Sequence, residues 1–577
     1  MKQFLTTFLA LGCTLFLFHC RPTVDVEEDV PPLEEVMEVE DPFQTSFTTE
    51  FDAFNPEEEE YPGGRGVDEL VVYTPDATKE KTGTNQWGVE AIVENSMITR
   101  IQDNNNLIPE DGFIISGHEE ARLWILDNLE LGMKAELDED EKMLSFTSNT
   151  ETRLRGMESL FAQMKEIRKS FEEEYSEEDM YLQDGIYEQI EWQIEEARQL
   201  LDHDQYQDLQ DDLDYLDTLI EQGFNLTAVS PAEDFRGVWD RLTFESEEEI
   251  IEYLDALEAH GYNMLFPETY YYGKTIYPSD ILEQHPPFEG WDPLEVLIEE
   301  AHKRDIEVHA WVHVAFVGFE DSPLVEEYSD WLMQTKDGVK ESIHENDFYY
   351  FSWSVQEAND FLIDIYKELA EKYPSLDGIH FDYIRWPLQI DDHYFGYHPE
   401  TTEGFEQESG IDPMDISPDD EEEWTLFQEY KEGLITSFLE EMLKEIASIN
   451  DSLAFSGAVA SPLDELAREQ RNQNWGKWAE QGLFHFLTPM IYTYDSKFVY
   501  EETEEAVEKA DGNTIMVSGL ATYQGQEPLN VYRQVHQARA AGSPGYVSFS
   551  WSSSDEQQRR IHRYAINRNP ATPPPLP

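Results

Sequence analysis

After Pro231 the sequence changes rhythm to short apolar runs alternating with amphipathic stretches, and this alternation restricts the fold more than any other feature. Strands that alternate with helices pair in parallel, because each crossover helix returns the chain to the edge from which it left. The strand candidates are residues 235–239, 264–267, 308–312, 378–382, 454–458, 486–491, 515–519 and 545–549. Each precedes a helix candidate, at 246–260, 293–304, 357–372, 423–449, 463–471, 501–510, 528–541 and 556–567. Eight of each predicts an α/β fold, a (β/α)8 TIM barrel over residues 231–570. Asp292 before Pro293 and Gly542 after Ala541 are start and stop signals that agree with two of the helices. Two long insertions, 314–354 and 386–422, fall after the third and fourth strands, on the face where loops of that length shape a cleft.

The barrel is preceded by a small β-rich domain, residues 63–140, and a helical segment, 141–230. Strands are expected at 69–73, as a pair within 89–101, and at 112–116, with a short helix at 119–129. Apolar residues then recur at three and four, as in Met157, Leu160, Phe161, Met164 and Ile167 and again in Ile190, Ile194 and Leu200, predicting two or three amphipathic helices. Packing accounts for these stripes without chemistry.

The first residues join a charged start, Lys2, to the apolar run from Phe4 to Phe18, too short to span a bilayer, which takes about 20 residues. Residues 1–20 are therefore expected to be a secretion signal. The two cysteines are Cys13 inside it and Cys20 at its end, so the mature chain forms no disulfide within itself. Cleavage before Cys20 would give the lipidated N-terminus of a bacterial lipoprotein; plain secretion is the alternative, because Leu17-Phe18-His19 lacks the small residue that usually precedes such a cysteine. Residues 21–62, rich in Glu, Asp and Pro, are expected to be a solvated tether. The expected place is the cell envelope, anchored or secreted.

With 124 Asp and Glu against 38 Lys and Arg, a formal net charge of -86 excludes a nucleic-acid partner. Disorder is not implied, since 40% hydrophobic and 13% aromatic residues can fill large cores. Such a coat suits solubility in concentrated salt; cation binding is the competing idea, but no Asp-rich calcium loop is present. No cofactor or metal is expected.

Reacting groups in a barrel come from the C-terminal ends of strands. The fourth strand, Gly378-Ile379-His380-Phe381-Asp382-Tyr383-Ile384-Arg385-Trp386-Pro387, runs straight into polar and aromatic side chains. Alternation points His380 and Asp382 to the barrel axis, with Asp382 nearer the mouth. Asp382 is the first catalytic candidate, as nucleophile or principal carboxylate; the competing reading makes it a structural partner of Arg385. Cutting a glycosidic bond takes a second carboxyl group. Glu268, at the end of the second strand, and Asp495, beyond the sixth, both qualify as proton donor.

Aromatic side chains bind sugars by stacking on their C–H faces. Trp239, Tyr270, Tyr271, Tyr272, Trp311, Trp386, Tyr492, Tyr494, Tyr523 and Trp551 fall near strand ends, with Trp239 a candidate for the core instead. His309 and His313 share a face of the third strand, suited to a sugar hydroxyl, a catalytic carboxylate, the core or, less well, zinc. Arg236 suits either the pocket or a structural ion pair. The substrate-binding candidates are Arg236, Tyr270, His309, Trp311, His313, His380, Tyr383, Arg385, Trp386, Tyr492 and Trp551.

These residues resemble glycosyl-hydrolase-like family 10, a group of bacterial barrels. The matching words are Phe235-Arg236-Gly237-Val238-Trp239, Tyr277-Pro278-Ser279, Trp291-Asp292-Pro293-Leu294, Ala301-His302-Lys303-Arg304, Val308-His309-Ala310-Trp311, the fourth-strand run above and Pro489-Met490-Ile491-Tyr492. The resemblance implies a TIM barrel, export or lipoprotein anchoring, and hydrolysis of glycans, peptide-free bacterial cell-wall strands among them. The run from Leu107 to His118 is similar to a domain that precedes some such barrels. Two departures stand out. The second strand reads Phe266-Pro267-Glu268-Thr269-Tyr270 where many members carry a Gln-Val-Arg type run, and His313-Val314 replaces a common Asn-Pro turn. A membrane-anchored glycan-binding protein without catalysis is the alternative function, and a metal-dependent deacetylase would need a His and Asp triad.

Overall fold

Eight parallel strands close on themselves: Phe235–Asp240, Met264–Tyr271, Glu307–His313, Gly378–Asp382, Ala454–Ala460, Phe486–Ile491, the split strand Ile515–Met516 and Ser518–Ala521, and Gly545–Phe549. The eighth pairs with the first, Val547 opposite Gly237, which completes the barrel. The computed structural model describes residues 41–56, 69–84, 88–101, 105–172, 175–461, 465–522 and 528–576. The expected signal, Cys20, Tyr523, the start of the fifth helix and much of the expected tether lie outside them. From Pro42 onward the described residues cluster as one unit.

Period-two alternation fills the barrel axis. Phe235, Trp239, Met264, Phe266, Trp311, Ala458, Phe486, Val517 and Val547 form one inner cluster, while the intervening residues face the helices. Around them lie helices Glu247–Ala259, Pro293–His302, Gln356–Lys372, Glu421–Ala447, Glu465–Arg471, Ser496–Ala510, Pro528–Ala540 and Glu556–Ile561. Asp292 caps the second by accepting from Glu295 N, with Pro293 in its first turn.

An eight-stranded sheet precedes the barrel, and helix Glu119–Asn128 packs on it through Ala121 and Ile125. Three of its strands correct the expected boundaries. Thr45–Glu50 and Ala53–Phe54 fall within the expected tether, and Met143–Ser148 within the expected helical segment. Thr45–Glu50 pairs antiparallel with Met143–Ser148, and Phe47 stacks on Phe146 with ring centroids 5.0 Å apart. The acidic flanks masked a short alternating run whose Phe47 has a partner. Three helices follow, Thr150–Ser170, Glu177–Asp202 and Tyr206–Thr227, and their apolar stripes join the barrel's outer core. Arg122, on the first helix, lies over the Tyr494 ring at 3.8 Å, so the sheet domain touches the loop after the sixth barrel strand. Among the described residues no helix is long and apolar enough to cross a membrane.

Candidate active site

Parallel register sets the chemistry. Glu268 on the second strand is level with Trp311 on the third, and His313, two residues on, is level with Asp382 on the fourth. All four point inward at the C-terminal mouth, because each lies an even number of residues from an inner-cluster position of its own strand or of the neighbour it pairs with.

Glu268 is 1% exposed, and both its oxygens are engaged. His313 Nε2 donates to Oε1 at 3.1 Å, and Arg241 Nε donates to Oε2 at 3.0 Å. Burial raises its pKa, but the hydrogen bond and charge of His313, with Arg241, outweigh burial and hold the carboxyl below its usual range. Arg241, its side chain 52% exposed, is the solvent-facing partner and lies over the Trp311 ring, 5.6 Å from its centroid.

Asp382 has the opposite environment. Trp311 Nε1 donates to Oδ2 at 3.1 Å and the Tyr383 N–H to Oδ1 at 2.6 Å. Burial pushes its pKa up, and His313, the Tyr383 N–H, Arg385 and Trp311 offset only part of that. Tyr383 turns its N–H back to Asp382 from a left-handed conformation, φ 56°, which costs a non-glycine residue roughly 1–3 kcal/mol. Burial thus inclines Asp382 toward holding a proton, while its partners incline Glu268 toward staying ionised.

Aromatic rings surround this pair. The Tyr383 ring lies 4.7 Å from both His313 and Phe316, Tyr272 lies 5.9 Å from His313, and Tyr492 stacks on Phe549 at 5.7 Å. Asp382 is not the ion-pair partner of Arg385, contrary to the competing structural reading. Arg385 Nη1 instead meets Glu345 at 2.7 Å, and its guanidinium lies 5.0 Å from the Tyr383 ring.

Several candidates lie elsewhere. Arg236 is fully buried at the N-terminal end of its strand, its Nε 2.8 Å from Asp234, so the structural ion pair is correct and sugar binding is not. His309, also at that end, packs beside Phe266 and Phe486, away from His313. His380 sits at mid-height, hydrogen-bonded to Ser456 Oγ at 2.8 Å, and burial drives its pKa far down. Inward direction was legible for the two histidines, though height along the axis was not; Arg236, next to the inner residue Phe235, faces outward. Tyr270 faces outward against Tyr366, past an irregularity in pairing between Glu268 and Tyr270. Trp386 is fully buried and donates Nε1 to the Lys431 carbonyl. Trp551 packs on Tyr253, His260 and Tyr262 behind the barrel wall. Asp495 caps helix Ser496–Ala510, its Oδ1 accepting from Lys497 N and Phe498 N. Trp239 is core, 5.7 Å from His380.

Three residues at this end escaped sequence reasoning: Arg241, Glu345 and Arg471. Arg241 had a signal, since it directly follows the first strand. Glu345 comes from a long loop whose path no periodicity describes, and Arg471 ends helix Glu465–Arg471, whose place at the mouth the sequence pattern does not reveal.

A parallel eight-stranded barrel with two unlike carboxyl groups at its C-terminal mouth is the architecture of a glycosidase-type barrel. The model of the family described as glycosyl hydrolase-like 10 matches residues 234–538, and the chain belongs to that family. It is 22% identical over 299 residues to glycosyl hydrolase DigH of Escherichia coli strain K12, a match covering 45% of this chain and 62% of that protein. It is 30% identical over 110 residues to glycosyl hydrolase YngK of Bacillus subtilis strain 168, covering 18% of this chain and 19% of the other. The chain thus spans less than two thirds of the curated relatives it matches. Among solved structures, the α-L-fucosidase isoenzyme 2 from Paenibacillus thiaminolyticus superposes with a TM-score of 0.41 at 16% identity, covering 57% of this chain and 49% of that one. The catalytic domain of β-amylase from Paenibacillus polymyxa gives 0.43 at 10% identity, covering 59% and 99%.

Proposed function

We propose that this chain is an exported glycoside hydrolase of bacterial polysaccharide or cell-wall glycan, with Asp382 as proton donor and Glu268 as the ionised carboxylate. The observation that carries the reading is two carboxyl groups in unlike settings at one barrel mouth: Glu268 held by His313 and Arg241, and Asp382 buried with the Trp311 and Tyr383 N–H groups as donors. Glycosidic cleavage needs one carboxyl that gives a proton to the leaving oxygen and one that acts on the anomeric carbon or on water, and unlike environments assign those roles. Tyr383, Tyr272, Trp311 and Phe549 offer ring faces for sugars around the pair. Membership of a glycosyl hydrolase-like family supports the reaction class.

Glu268 lies beneath Arg241, so a sugar that engages it first displaces that guanidinium. The N-terminal run from Phe4 to Phe18 supports export, and Cys20 supports attachment to the membrane by a lipid. The test is the appearance of new reducing ends when the chain is incubated with peptide-free cell-wall strands and other bacterial polysaccharides. Shortened chains with new reducing ends support the proposal. Binding without shortening of any glycan would leave a glycan-recognition protein in its place.

A further inference from the structure

Resting on that reading, we propose that Arg471 marks a subsite for an anionic sugar, with a carboxylate on the substrate as its partner. The residue ends helix Glu465–Arg471, beyond the fifth strand, and its carbonyl accepts from Trp386 N at 2.9 Å, while Gln470 O accepts from Gln389 N at the same distance. These two bonds fix the segment to the loop that leaves the fourth strand through Asp382, Tyr383 and Arg385.

The charges there do not balance. Glu345 is the carboxylate shared by this corner, and its capacity is taken: Arg385 holds Oε1, while Leu388 N, Ser342 Oγ and Tyr350 OH donate to Oε2 at 2.7, 3.0 and 3.2 Å. The Arg471 guanidinium is left with no hydrogen-bond or ion-pair partner among the described residues, although the residue is only partly exposed. Burial and the neighbouring Arg385 pull its pKa down to about 10, opposed by Glu345 and Tyr350. A half-buried guanidinium beside a second arginine is costly until an anion arrives, and its planar fork matches a carboxylate with two parallel hydrogen bonds.

The corner adjoins the proposed catalytic pair. Arg385 lies 5.0 Å from the Tyr383 ring, which lies 4.7 Å from His313 between the two carboxyl groups, so the corner is two ring contacts from the cleavage point. The formal charge of -86 repels an acidic glycan at long range, so local cations are required where such a strand enters. In concentrated salt that repulsion is screened, whereas a desolvated bidentate contact survives.

The experiment uses the full chain carrying Asp382→Asn, so that strands are not consumed, with and without Arg471→Gln. Peptide-free cell-wall strands, which bear a carboxylate on alternate sugars, and the same strands after carboxyl reduction are titrated calorimetrically at low and at molar salt. With Arg471 present, the carboxylated strands bind about tenfold or more tightly than the reduced ones at both salt levels. With Arg471→Gln the two kinds of strand bind alike. Equal binding by the arginine form, a preference that survives Arg471→Gln, or no binding of either strand each overturns the subsite, and the comparison of the two strands on the arginine form decides it even where the variant fails to fold. Release of reducing ends is read separately on the unsubstituted chain, so the subsite and the hydrolase reading fail independently.

Discussion

His313 Nε2 lies 3.1 Å from Glu268 Oε1. The same histidine is in register with Asp382 on the next strand, so one imidazole separates the two carboxyl groups. Its hydrogen bond and charge favour ionisation of Glu268, whereas its effect on Asp382 is outweighed by burial. The third strand thus divides the mouth into a side where ionisation is favoured and a side where burial favours the proton.

Activity against pH is expected to be bell-shaped. Glu268 must be ionised, so the rate rises as pH climbs through its lowered pKa; Asp382 must hold its proton, so the rate falls as pH climbs through its raised one. Arg241→Gln removes a cation that keeps Glu268 ionised, so its pKa rises and the acid limb moves to higher pH. The kcat/KM profile of Arg241→Gln beside the unsubstituted chain checks this, and an unmoved acid limb refutes the role given to Arg241.

Trp311→Phe keeps the ring and removes the N–H that Asp382 accepts at 3.1 Å. That hydrogen bond favours the ionised form, so its loss raises the Asp382 pKa and moves the alkaline limb to higher pH. A limb that moves down instead contradicts the assignment of Asp382 as the acid.

Asp495→Ala separates helix capping from catalysis. Loss of the acceptor for Lys497 N and Phe498 N destabilises the fold by about 1 kcal/mol, while glycan cleavage persists. Thermal unfolding and reducing-end assays on the same preparation read both, and loss of cleavage in a folded variant would return Asp495 to the catalytic pair.

Arg236 is a matter of stability. Its guanidinium meets Asp234 at 2.8 Å and the Asn569 carbonyl at 2.6 Å, and Arg539 meets the same Asp234 at 2.6 Å. Arg236→Met leaves a buried carboxylate with half its partners, a cost of about 3 kcal/mol. Denaturant unfolding measures it, and a neutral result would show that Arg539 alone suffices.

The barrel was legible because its signal is repeated eight times, and each strand of two-fold alternation is followed by a helix of three-to-four spacing. Asp382 and Glu268 were legible for the same reason, as acids at strand ends. What the pattern lacks is height and company. His309 and His380 point inward as expected, yet they sit at the base and middle of the axis, where stacked layers of side chains exclude any ligand, and Arg236 lies on the outward face of its strand, between the inner residues Phe235 and Gly237. Arg385 and Trp386 follow the strand into a loop, where their direction is set by Glu345 and Lys431, residues 40 and 45 positions away respectively. Thr45–Glu50 was hidden by composition, since its partner strand lies some hundred residues on.

The most direct measurement is the rate at which new reducing ends form from peptide-free cell-wall strands with the unsubstituted chain, Asp382→Asn and Glu268→Gln, all folded by circular dichroism. The account predicts release by the first and a loss of about 10²–10⁴-fold in each variant, the range expected for a group that transfers a proton in the transition state, with at least as large a loss for its ionised partner. Undiminished release by either variant would contradict it.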